Sequence, residues 1–122
     1  MAEADLAWRA AERAAGRRFF LASALLAYAR SEGLDQAGLA RQLGCEPAAL
    51  PRLLLCRRPT GPPAAFRADV QRIAQGFNLD PARLAEAVRV AYALERLAEA
   101  GQRTDAGLLA AARDRDDEEP EA

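Results

Sequence analysis

The stretch from Gln36 to Leu53, Gln-Ala-Gly-Leu-Ala-Arg-Gln-Leu-Gly-Cys-Glu-Pro-Ala-Ala-Leu-Pro-Arg-Leu, constrains the fold more than any other part of the chain. It reads as two short helices joined by a tight turn. Asp35 is placed to cap the first helix, which runs to about Leu43. Gly44 supplies the positive φ that a tight turn needs. Glu46-Pro47 opens the second helix, where the missing proline N–H is harmless, and this helix is expected to reach about Cys56. Ala40 is small where the two helices cross. Leu39, Leu43, Leu50 and Leu53 anchor both of them to a core.

The flanking sequence is helical too. Residues 3–15 have helix-forming composition with Trp8 as the one large apolar side chain, and Gly16 kinks or ends the segment. Phe19, Phe20, Leu21, Ala24, Leu25 and Tyr28 recur at three and four residues, which predicts a helix with a strong buried face. Gly33 is expected just past its end. Arg57-Arg58-Pro59-Thr60-Gly61-Pro62-Pro63 is a loop, since its prolines and glycine cannot continue a helix. Residues 64–75 predict a further amphipathic helix with Phe66, Val70 and Ile73 inward and Gly76 ending it. Asp80-Pro81 launches a long helix to about Ala98, with Leu84, Val88, Ala91 and Leu94 or Tyr92 as its stripe. Thr104 is a candidate cap for a weak last helix containing Leu108 and Leu109.

The expectation is an all-α fold, a compact bundle of about five to six helices. Residues 1–16 would be a helical extension, 17–100 the main domain, 101–112 the weak helix and 113–122 a disordered acidic tail. Few Val or Ile and abundant Ala and Leu agree with helix over sheet. All seventeen basic residues are Arg, a bias that base composition of the genome explains without chemistry. Net charge is −1, yet residues 41–72 hold six Arg against Glu46 and Asp69, while 101–122 hold three Arg against seven acids. The tail conceals a basic middle. The apolar run Phe19–Ala29 is too short for a membrane span, and Cys45 and Cys56 in a chain without His fit no zinc site, so reduced thiols and a cytoplasmic location are the simplest expectation.

With Leu39-Ala40, Leu43-Gly44, Leu50, Leu53 and Arg58-Pro59 in this register, residues 18–98 resemble the lambda-repressor-like, Cro-type helix-turn-helix family. The resemblance implies a small DNA-binding transcriptional regulator of bacterial type, whose second motif helix docks in the major groove of duplex DNA. It places Gln36 where the first motif helix meets a phosphate. Glu46, Pro47, Ala48, Pro51 and Arg52 take the reading positions. Arg41, Arg57 and Arg58 flank them and can neutralise phosphates. It also implies a homodimer, for which the 81–98 helix offers Leu94 and Leu97.

The reading positions depart from a base-reading pattern. Only Arg52 can donate to a base edge, Glu46 repels phosphates, and Pro51 removes a helical hydrogen bond. At about 100° per residue, Ala48, Pro51, Arg52 and Leu55 share a largely apolar face. Three readings of that face stand open. It serves DNA through phosphate and shape readout, or it meets a protein partner through Ala48, Pro51, Leu54 and Leu55. In the third, residues 3–15 or the Leu108 helix fold over it and Trp8 is core. The arginines have an ordinary alternative as well, a solvated surface in which Arg67 and Arg72 pair with Asp69. No catalytic residue, cofactor or metal site is expected, because no base stands in a recognisable arrangement with Ser23, Ser31 or either cysteine. Cys45 is expected to be buried and inert, and Cys56 to lie at a helix C-terminus that opposes the thiolate.

Overall fold

The computed structural model describes residues 2–118, with the side chains of 5–109. It is all-helical among the described residues: α1 (Ala2–Ala14), α2 (Leu21–Glu32), α3 (Gln36–Leu43), a 3-10 turn at Pro47–Ala49, α4 (Leu50–Leu54), α5 (Pro63–Phe77) and α6 (Pro81–Glu118). Contacts divide the chain into a compact unit, Met1–Ala91, and a second unit, Tyr92–Ala122. No described helix is long and apolar enough to cross a membrane.

The first unit is built from ends that its own side chains fix. Gly33, at φ 67°, closes α2 by donating its N–H to Ala29 and Arg30 carbonyls. Asp35 Oδ1 accepts the Gly38 N–H at 2.8 Å and starts α3. Gly44, at φ 75°, ends α3 and turns the chain. Asp80 Oδ1 accepts the Ala82 N–H at 2.9 Å to start α6, and the Asp80 N–H reaches the Leu43 carbonyl at 3.4 Å. Leu21, Leu25, Leu39, Leu43, Leu50, Leu53, Leu54, Leu84 and Val88 are fully buried and form the core. Each contributes about 1.5–3 kcal/mol relative to an exposed side chain.

Several expectations are corrected. Helix α2 begins at Leu21, so Phe19 lies outside its buried face and is 59% exposed. Its carbonyl instead accepts the Arg58 N–H at 3.0 Å, and Leu21 N–H donates to Cys56 O at 2.7 Å, so 19–21 and 56–58 run side by side. The expected 47–56 helix is a 3-10 turn followed by a short α-helix. Restarting there puts Pro51 in the first turn of α4, where its missing N–H breaks nothing. Helix α5 runs past Gly76 to Phe77, and Asn78 takes the left-handed position at φ 55°. Helix α1, in the expected N-terminal extension, packs on α2 and α4 with Ala11 and Ala14 buried, as in the reading that folds residues 3–15 over the α4 face. No weak helix is set apart at 101–112. There Thr104 Oγ1 donates to the Ala100 carbonyl, so it does not cap, and α6 continues to Glu118, into the segment expected to be a disordered tail. The rest of that tail, 119–122, lies outside the described residues.

Candidate nucleic-acid interface

The motif elements sort their side chains by periodicity. Helix α3 turns Leu39, Ala40 and Leu43 inward, which leaves Gln36 and Arg41 exposed. The turn before α4 exposes Glu46, Pro47 and Ala48. Helix α4 buries Leu50, Pro51, Leu53 and Leu54, and Arg52 alone among its five residues stays exposed. Gln36, Arg41, Pro47, Ala48, Arg52 and Arg57 are therefore all at the surface of the first unit.

Arg58 is the exception. It is 8% exposed, and its guanidinium donates to the Ser23 hydroxyl, which in turn donates to the Phe20 carbonyl at 2.7 Å. Arg58 is a buried tie between the chain after α4 and the start of α2, and it is withdrawn from any phosphate. The adjacent Pro59 is buried too. The expected partner face is corrected in the same way. Pro51 and Leu54 are core, Ala48 is exposed, and Leu55 is 38% exposed. What fills the apolar side of α4 is α1 and α2. Trp8, expected to be core if residues 3–15 cover the face, is half-buried and lines a cleft. Leu108 is 64% exposed.

Arg57 does not stand alone electrostatically. The Asp69 carboxylate lies 3.9 Å from Arg57 and 3.5 Å from Arg72, and its side chain is far less exposed than either guanidinium. One acid thus offsets part of two arginines, leaving the trio at +1 (two positive, one negative). Arg41 and Arg52 have no ion-pair partner among the described residues.

Burial pushes the Cys45 thiol up, with Glu46 adding to the rise, and burial raises Cys56, whose Sγ donates to the Arg52 carbonyl at 3.6 Å. Both are free thiols. Among the described residues no group of His, Cys, Asp or Glu is placed to hold a metal ion.

No protein-family model, no curated protein and no solved structure matches this chain. What is said of the surface rests on the residues themselves.

The burial of Arg58 and Leu54 was not legible locally. Its one signal is the pairing of the Arg58-Pro59 step with a hydroxyl thirty-five residues away, which sequence spacing does not reveal. The Phe19–Arg58 backbone pairing likewise joins distant segments and has no local pattern.

Proposed function

We propose that the protein is a small DNA-binding regulator of the lambda-repressor-like type, gripping duplex DNA through phosphates more than base edges. The observation that carries this reading is the set of exposed cationic and polar side chains on consecutive motif elements. Gln36 and Arg41 belong to α3, Arg52 to α4 and Arg57 to the segment after it, while Leu39, Leu43, Leu50, Leu53 and Leu54 among them are buried. Phosphate contacts from such side chains give affinity and orientation without reading sequence. Exposed Pro47 and Ala48 have no hydrogen-bonding side chain to offer a base, so sequence preference would come from DNA shape and from Arg52.

The test is a variant series against one duplex. Arg41→Ala, Arg52→Ala and Arg57→Ala should each weaken binding and lower the salt slope by about one. Unchanged slopes in all three would remove the reading.

A second reading is favoured by one specific observation. Phe19 is 59% exposed and Leu55 38%, and the backbone hydrogen bonds between 19–21 and 56–58 bring their segments together. In this reading a protein partner uses Phe19, Leu55 and Ala48, while Pro51 and Leu54 are core. Phe19→Ser should abolish the complex while the chain stays folded, as its circular dichroism would show.

A further inference from the structure

We propose that the cleft between α1, α2 and the start of α3 binds a small amphipathic cation with a flat apolar body. The cleft has a volume of about 510 Å³ and lies wholly within the first unit. Its size is that of a small-molecule site, and its construction is as well. Half-buried Trp8, Leu26 and Leu34 line it as large apolar side chains from α1, α2 and the segment before α3, so a flat hydrocarbon finds apolar contact from three parts of the chain.

The polar groups at its edge choose the charge. Glu12 on α1 and Asp35 before α3 are carboxylates, against the single guanidinium of Arg30. The ionised edge therefore sums to −1 (two negative, one positive). Asp35 is fixed in place, because its Oδ1 accepts the Gly38 N–H. Arg30 is exposed in the last turn of α2, where the helix C-terminus favours it without a ligand, and its long stem lets the head swing into water. The indole of Trp8 adds the aromatic face that attracts a cation most strongly. An anion would meet two carboxylates to gain one guanidinium. A neutral molecule would leave the carboxylates unused. Gln36 also lines the cleft, which puts an occupant beside the first residue of α3. The inference does not depend on DNA binding and can fail separately from it.

Three matched probes test it: biphenylmethylammonium, biphenylmethanol and biphenylcarboxylate, titrated into the full chain by calorimetry and by amide NMR. Trp8 is the only tryptophan, so its emission reports on this cleft alone. The ammonium should bind saturably, shift Trp8 emission, and move the amide signals of Arg30, Asp35 and Gln36. The alcohol should bind about fivefold more weakly, the scale of one exposed charge contact, and the carboxylate weakest of all. Glu12→Gln changes an exposed side chain and leaves the fold intact. It should bring the ammonium close to the alcohol's affinity, while Trp8→Leu should weaken both. Equal binding of the three probes, tightest binding of the carboxylate, amide shifts elsewhere, or no saturable binding would each overturn the proposal.

Discussion

Arg52 and Arg58 are the same residue type six positions apart, and the fold gives them opposite roles. Arg58 is buried against Ser23, so Arg58→Ala removes a charged donor from the Ser23 hydroxyl, which keeps its bond to the Phe20 carbonyl, and opens a hole. Urea unfolding should register a loss of roughly 1.5–3 kcal/mol, the range for hydrogen bonds to charged groups. Arg52→Ala should stay within about 0.5 kcal/mol of the parent, as exposed substitutions do. Asp69 supplies a prediction of the opposite sign. Asp69→Asn removes the carboxylate that competes for Arg57 and Arg72, so duplex affinity should rise and the salt slope steepen. At Cys45, burial raises the thiol pKa above its ordinary 9.0, so the fold holds the neutral form. That stability is complete below the unfolded pKa and is lost as pH rises through the folded one. The urea midpoint should be flat at neutral pH and fall above about pH 9, and Cys45→Ala should flatten part of the fall. Burial also raises Tyr28, with Glu32 and Glu86 adding to it, so the alkaline loss continues beyond the cysteine range.

At the scale of elements, the α3–α4 turn is the most exacting joint. Gly44 sits at φ 75°, and a methyl group built there would stand 3.7 Å from Arg83 Nη1, an ordinary contact. Gly44→Ala therefore costs only the backbone strain, about 1–2 kcal/mol, whereas Leu53→Ala in the core should cost about 2–5 kcal/mol. Both are read from urea unfolding. The contrast also explains what the sequence made legible. Asp35, Gly33, Gly44 and Asp80 act on backbone groups within a few residues, so their positions announce α2, α3 and the start of α6. Phe19 and Arg58 are placed by a pairing between distant segments, and no local pattern carries that information. Asn78, not Gly76, ends α5 because Asn tolerates the left-handed conformation while glycine can also remain helical. Of the interface, the exposed arginines 41, 52 and 57 were visible in the pattern. The burial of Pro51 and Leu54 was one of three open readings of that face, which only the packing of α1 and α2 on α4 decides, and the burial of Arg58 rests on its distant partner Ser23.

For the whole molecule, α6 changes character along its length. Leu84, Val88 and Ala91 are buried in the first unit as the expected stripe, while Leu94 and Leu97, the expected dimer seam, belong to the second unit. In the second unit Leu97, Leu108 and Leu109 are 64–69% exposed. If a second copy of the chain uses this helix, Leu97→Glu should halve the mass seen by light scattering without moving the urea midpoint. An unchanged mass would leave the helix without that role. The role proposed for the first unit is that its exposed arginines grip a polyanion although the whole chain is at −1. Affinity for a random-sequence duplex, measured across a salt series, tests this most directly. Binding at low salt whose logarithm falls linearly with log salt, with a slope of about −2 to −3 for two or three phosphate contacts, is the predicted result. No binding at the lowest salt would contradict it.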